Sequence, residues 1–360
     1  MYGHQTSRRR TGTIAVLLLA LIVSLLAACS KAEEKGEDTL TLEPKTDSFF
    51  IFDTIINIKV YDTRANEDTF NGVREILQRI DSEVNRAVET SEIAEVNRRA
   101  GDGTFVRVSE ETYRIVERAI QYARDSEGVF DPTVGPLVDL WGIGTEQAAV
   151  PSEEDIRSRL ALVDYKKVEL NEADFSIRLL EPGMSLDLGG IAKGYAADAI
   201  ADYLRSEGFT SAIIDLGGNI LAMGEKPGNQ PWTIGLQNPE DVRGTHFATI
   251  KLTNMTVVSS GVYERYFIQD GVRYHHIMDT STGYPVRNEL LCATVITEHS
   301  FDADGRSNTA FSLGLEKGLA FLEALENVEG VFVTTDLKVY TTSGLKGKLT
   351  ITDSRFTLVD

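Results

Sequence analysis

The run Asp187-Leu188-Gly189-Gly190-Ile191-Ala192-Lys193-Gly194-Tyr195-Ala196-Ala197-Asp198 constrains this chain more than any other segment. Residues Ser185 to Leu188 read as a short strand, and two glycines end it. A helical pattern then runs from Ile191 to Glu207 and stops at Gly208. Such a turn aims backbone N–H groups from a helix start at whatever lies before it, and glycines let that neighbour come close. Lys193 stands in the first helical turn, where the helix dipole prefers acids, so a cation there makes sense beside an anion. As a bare pattern the run is weak, because only one such turn in several holds a phosphate.

Composition narrows the partners. Lys and Arg total 36 against 55 Asp and Glu, a net charge of -19. This excess of acid excludes a nucleic-acid partner and general adhesion to an anionic bilayer. A phosphate ligand must therefore be held locally, by backbone N–H groups, a metal ion or a few placed cations. Of two cysteines, Cys29 belongs to the leader described next, and Cys292 lies in the apolar run Leu290-Leu291-Cys292-Ala293, where packing is its expected role.

Arg8-Arg9-Arg10, an apolar run from Ile14 to Ala27, and Leu26-Ala27-Ala28-Cys29 have the layout of a secretory signal with a bacterial lipobox. The apolar run is too short to span a bilayer comfortably. The expectation is cleavage after residue 28, acylation of Cys29, a flexible tether over 29–47, and a folded body over 48–360. The protein would then be extracytoplasmic and anchored to a bacterial membrane on its periplasmic side.

Within the body, Phe49 to Tyr61 reads as the first strand. Helices are predicted near 66–86, after Ser109 and after Ser152. Short strands follow near 167–170 and 176–180. Beyond the 191–207 helix the chain is strand-rich, with runs at 212–216, 220–223, 232–237, 247–252, 256–259, 263–268 and 291–297. A helical stretch over 304–325 and two terminal strands close it. Helices and strands mix without strict alternation, so the fold class is α+β.

Four further segments carry possible chemistry. Gly128 to Gly144 holds four glycines and two prolines around Trp141 and reads as a shaped loop whose indole could face a flat ring. Asp215-Leu216-Gly217-Gly218-Asn219 is a tight turn, either a plain hairpin or a second wall of the same cleft. Tyr274-His275-His276-Ile277-Met278-Asp279 places two histidines side by side; on a strand they face opposite ways, which disfavours a zinc site. One histidine is left for proton chemistry or a ligand. Asp304, Ser307 and Asn308 fall on one face of a helix start and offer only oxygen, which suits magnesium or calcium. Taken alone, the segment reads more readily as an N-cap Asp304 with a polar first turn.

Together these segments resemble the FAD:protein FMN transferase family, the ApbE family, once described as thiamine-biosynthesis lipoproteins. The resemblance rests on Phe52-Asp53-Thr54, Phe130 to Leu137, Asp187 to Ala196, Asp215 to Asn219, His276 to Asp279 with Thr282-Gly283, and Ala303-Asp304. It implies largely antiparallel sheets with a T-fold-like core, FAD as substrate, and Mg2+ beside its pyrophosphate. Carried over position by position, the Gly190 carbonyl and the side chains of Asp304 and Asn308 would hold the metal, with Ser307 near it. Phe52, the turn Trp141-Gly142-Ile143, Asp187, Lys193 and Met278 would contact FAD. His276 and Asp304 would be the catalytic groups. Asn308 and Ala87 stand where the family often has Thr and Tyr. The implied activity moves the FMN half of FAD onto a threonine of a client protein, with membrane redox complexes as the expected clients. Hydrolysis of FAD to FMN and AMP, and storage of FAD without chemistry, are the rival readings.

Overall fold

A computed structural model describes residues 39–359. The leader, Cys29 and most of the proposed tether lie outside the described residues. In chain order the elements are β1 (Leu40–Ile51), β2 (Thr54–Asp62), α1 (Glu67–Val84), α2 (Glu92–Arg98), β3 (Val106–Arg107), α3 (Glu110–Asp125), α4 (Gly135–Trp141), α5 (Glu153–Leu160), β4 (Val168–Asn171), β5 (Ser176–Leu179) and α6 (Ala192–Ser206). There follow β6 (Ala212–Leu216), β7 (Asn219–Met223), β8 (Trp232–Gln237), β9 (His246–Leu252), β10 (Met255–Gly261), β11 (Tyr266–Gln269), β12 (Val272–His275) and β13 (Leu290–Thr297). The chain closes with α7 (Ser300–Leu313), α8 (Leu315–Glu323), β14 (Glu329–Thr334), β15 (Lys338–Thr341), β16 (Leu349–Ile351) and β17 (Thr357–Leu358). No helix among the described residues is long and apolar enough to cross a membrane.

The fold is α+β. One nine-stranded sheet has the order β1-β2-β6-β7-β10-β13-β14-β15-β17, and three small sheets flank it. The pairing is antiparallel except between β15 and β17. Its apolar side chains feed several clusters. The largest joins Ile56, Ile58 and Val60 of β2 and Ile214 of β6 to Val73, Leu77 and Ile80 of α1 and Ile200 and Leu204 of α6. A second packs Ala303, Ala310 and Phe311 of α7 on Ala293 and Val295 of β13. Helices α6 and α7 also pack directly on each other, and that seam positions the site.

Helix starts follow their caps. Asn66 accepts the N–H groups of Asp68 and Thr69 at 2.8 and 3.3 Å, and Ser109 accepts that of Thr112 at 3.1 Å. Several expectations need correction. Strand β1 begins at Leu40, so the stretch read as a tether over 29–47 ends in a paired strand. The polar residues of β1 are tolerated because it is the edge of the sheet. The single strand expected over 49–61 is a hairpin whose two turn residues, Phe52 and Asp53, both adopt left-handed φ of 55° and 54°. Residues 185–188 are not a strand; only Ser185 makes an isolated bridge, to Val134. The Gly/Pro-rich segment after Gly128 contains α4, with Pro136 in its first turn. The helical stretch over 304–325 is two helices that begin four residues earlier and divide at Gly314.

Candidate active site

The walls of the site are built by short polar contacts. Asp131 fixes its own loop: Oδ1 accepts the N–H and hydroxyl of Thr133 at 2.8 and 2.6 Å, and Oδ2 accepts the N–H of Tyr165 at 2.9 Å. That loop holds the glycine turn, because the Asp187 N–H donates to the Pro132 carbonyl at 2.7 Å. Asp187 Oδ1 in turn accepts the Gly189 N–H at 2.9 Å, while Oδ2 stands 3.2 Å from Arg86 Nε. Gly190 admits both Phe130 and Asn308 against its backbone; a Cβ there would lie 3.3 Å from Phe130 Cε2 and 3.2 Å from Asn308 Nδ2.

The start of α6 offers fewer free N–H groups than its pattern implies. Those of Ile191 and Ala192 turn back to the Leu188 carbonyl at 3.0 and 2.9 Å. That of Gly194 donates to Asp304 Oδ2 at 2.9 Å. Gly190 and Lys193 keep N–H groups without a partner among the described residues. Lys193 Nζ lies 3.3 Å from the Gly189 carbonyl, so its charge sits at the mouth of the turn.

Asp304 is in the second turn of α7, 4% exposed, and is not the N-cap. The cap is Asp198 of α6, whose carboxylate accepts the N–H groups of Ser300 and Phe301. Burial pushes the Asp304 pKa up, opposed by the Lys193 charge and the Gly194 N–H. Asn308 lies one turn on, and its Nδ2 donates to the carbonyls of Gly190 and Asp304, both at 3.2 Å. Its Oδ1 accepts the Ser260 hydroxyl at 3.1 Å. Thus Gly190, Asp304 and Asn308 do come together, from a turn and a helix more than a hundred residues apart. Ser307 does not join them as a donor. Its hydroxyl donates to the Asp304 carbonyl at 3.0 Å and lies 2.8 Å from the Ser260 hydroxyl, so it supports the helix from behind.

The donor set is all oxygen: a carboxylate, a backbone carbonyl and an amide. Among the described residues no three His, Cys, Asp or Glu side chains gather, so thiolate or imidazole metal chemistry has no home here. A hard cation fits the set after one adjustment, a half-turn of the Asn308 amide that brings Oδ1 round toward the Gly190 carbonyl. Ser260 permits it, because a hydroxyl accepts as readily as it donates.

Phe52, His276 and Arg265 lie together, with Arg265 Nη2 3.5 Å from the Phe52 carbonyl. The His276 N–H donates to the Arg265 carbonyl at 3.1 Å, and its Nδ1 lies 3.3 Å from the same oxygen. A carbonyl only accepts, so Nδ1 carries the proton and Nε2 keeps its lone pair. Burial, then the charges of Arg265, His275 and Lys193, holds the His276 pKa at about 3, so the ring is neutral at physiological pH. His275 is the packing member of the pair: its Nε2 lies 2.8 Å from the Val286 carbonyl and its ring meets Phe311 edge-on.

Trp141 and Met278 do not present their side chains to this cleft. Trp141 is fully buried, donates from Nε1 to the Gly283 carbonyl at 2.8 Å and packs with Leu137, Ile156 and Met278. Gly142 and Ile143 are half-buried, so the turn is more open to solvent than the indole. Asp215 is the penultimate residue of β6, and its Oδ1 accepts the Gly218 N–H at 2.8 Å across the tip of the β6–β7 hairpin. Sequence reasoning missed Arg86, Asp198, Ser260 and Arg265. None carries a local signal, since each acts through a partner more than forty residues away or across a strand pairing.

Residues 52–332 match the sequence model of the ApbE family. The chain is 41% identical over 279 residues to the FAD:protein FMN transferase of Klebsiella pneumoniae strain 342, covering 77% of this chain and 85% of that protein. It is 33% identical over 324 residues to the protein of the same name from Treponema pallidum strain Nichols, covering 86% and 89%. Among solved structures it is similar to the ApbE protein of Thermotoga maritima, with a TM-score of 0.78 and 32% identity over 85% of this chain and 99% of the other. It is also similar to the flavin transferase ApbE of Vibrio cholerae, with a TM-score of 0.76 and 28% identity over 84% and 98%.

Proposed function

This chain belongs to the ApbE family, and from that premise we propose that it moves the FMN half of FAD onto a threonine hydroxyl of a client protein in a magnesium-dependent reaction that releases AMP. It is a flavin transferase, with FAD as the donor. The observation that carries the finer reading is the meeting of the Gly189-Gly190 turn, Lys193, Asp304 and Asn308 at one seam between α6 and α7.

Magnesium would be held by the Gly190 carbonyl, Asp304 and Asn308, and when bound it supplies charge neutralisation at the diphosphate. The protein does the rest. Lys193 and the free N–H groups of Gly190 and Lys193 bind the phosphate oxygens. The threonine Oγ attacks the phosphorus on the FMN side; a new P–O ester forms, the bond to the AMP phosphate breaks, and AMP leaves with that electron pair. The threonine proton passes to His276 Nε2 or to an acidic neighbour. A ring with a pKa of about 3 is a weak base on its own, and the negative diphosphate raises its proton affinity when FAD is present. The Leu26-Ala27-Ala28-Cys29 pattern supports an acylated, extracytoplasmic protein held near membrane-bound redox clients.

Incubation of the full-length protein with FAD, magnesium and a candidate client tests this reading. Flavin fluorescence on the denatured client band supports transfer. Free FMN with AMP and no labelled client would replace it with hydrolysis, and intact FAD would replace it with storage.

A further inference from the structure

A chain carrying a net charge of -19 must place cations deliberately wherever it holds a phosphate, and one such cation, Arg265, has no role in the reading above. Arg265 lies just before β11, at the junction of three segments of the cleft. Its Nη2 lies 3.5 Å from the Phe52 carbonyl at the tip of the β1–β2 hairpin. Its own backbone carbonyl is the acceptor for His276. Its Cδ lies 3.6 Å from where a Cβ would stand on Gly144, next to the Trp141-Gly142-Ile143 turn. The side chain is 48% exposed, and the nearest carboxylate, Asp53, is 3.8 Å away and 82% exposed. A pair that long and that wet neutralises little of the guanidinium. The hairpin tip beneath it is strained, since Phe52 and Asp53 are both left-handed without being glycine. Such strain is kept where it aims a group.

We propose that Arg265 is a second phosphate-binding cation of the site, taking a diphosphate oxygen of the dinucleotide alongside Lys193. The inference rests on the flavin-transferase reading and adds to it a residue that fixes which part of the ligand is recognised. The charges of Arg265 and Lys193 are both felt at the His276 ring, so the two cations lie near one ring. Guanidinium is suited to the task because its planar fork of donors matches phosphate oxygens. The bland alternative is a buttress that merely steadies the Phe52–Asp53 turn.

The test is equilibrium binding of FAD, ADP and riboflavin to the full-length protein with magnesium present, for wild type, Arg265→Gln, Arg265→Lys and Asp53→Asn, each first checked by thermal melt. The Arg265 carbonyl that holds His276 survives every substitution. Arg265→Gln is expected to weaken FAD and ADP roughly tenfold or more while riboflavin moves less than about twofold, and Arg265→Lys to restore part of the loss. Asp53→Asn is expected to leave ADP binding unchanged or tighter. Equal loss for riboflavin and ADP, loss reproduced by Asp53→Asn, or no loss at all would each overturn the proposal. Wild-type protein that bound no FAD would instead remove the flavin-transferase reading, and this inference with it.

Discussion

The carboxylate of Asp198 on α6 accepts the backbone N–H of Ser300 on α7 at 2.9 Å, so one helix caps the N-terminus of another. Its second oxygen takes the N–H of Phe301, also at 2.9 Å. Replacing Asp198 with Ala is expected to destabilise the protein by about 1–2 kcal/mol, since two charge-assisted bonds at a helix start are lost. Asp198→Asn should fall between, because an amide offers one acceptor. Denaturant melts of the three proteins check the order.

Gly194 sits at the crossing of the same two helices. A Cβ there would stand 2.3 Å from the Ser300 carbonyl oxygen and 2.8 Å from Asp304 Cβ, both on or next to backbone that cannot yield. Gly194→Ala is therefore expected to cost about 1–3 kcal/mol by overpacking and to displace Asp304. Thermal melts would report the first effect, and a raised magnesium requirement for AMP release the second.

Asp304 is the one carboxylate among the proposed donors. Chelation is expected to stop AMP release from FAD and added magnesium to restore it. In Asp304→Ala turnover should fall about a hundredfold or more and stay low at any magnesium concentration. Full activity in that variant would remove the metal assignment.

His275 is buried neutral. Its Nε2 faces the Val286 carbonyl at 2.8 Å and its Nδ1 accepts the Ile277 N–H at 3.3 Å, so both nitrogens are committed in the unprotonated form. Burial lowers its pKa below the ordinary 6.5. The unfolded chain then takes up a proton that the folded one refuses. Stability is whole above the unfolded pKa and is lost as pH falls below it. His276, held at about 3, pulls the same way. The melting temperature is expected to drop between pH 7 and pH 5, and His275→Gln, which keeps a donor and an acceptor, should flatten part of that slope.

Trp141 supplies a negative control for ligand contact. Trp141→Phe leaves the Gly283 carbonyl without its donor and should cost about 1–3 kcal/mol of stability. FAD affinity should hold, because the ring is enclosed. A variant of normal stability that bound FAD poorly would show that the indole reaches the ligand after all.

The helices were legible where a cap and an apolar stripe agree, as at Asn66 with Phe70, Val73 and Leu77, or at Ser109 with Val116 and Ile120. The glycine turn and the oxygen-bearing face of α7 were legible as motifs, but that Gly190 lies beside Asp304 and Asn308 was implied only by the family resemblance and not by local pattern. The start of α7 was not legible, because its cap comes from Asp198, far back in the chain. Nor was the hairpin at Phe52, since no glycine or asparagine marks its left-handed turn. Trp141 misled for a related reason: glycines and prolines around an aromatic describe a loop's shape but not the direction a ring takes once Leu137 and Ile156 are near.

The close crossing at Gly194 also decides which side of the site is rigid. With a backbone N–H bonded to Asp304 and a carboxylate spanning back to Ser300, the two helices are riveted at adjacent points and cannot slide apart as separate jaws. The other bank is held more lightly, since the strained hairpin tip and the turn after α4 are bridged by one half-exposed guanidinium. The side at Gly194 is then the fixed frame of the site, against which the other bank is set.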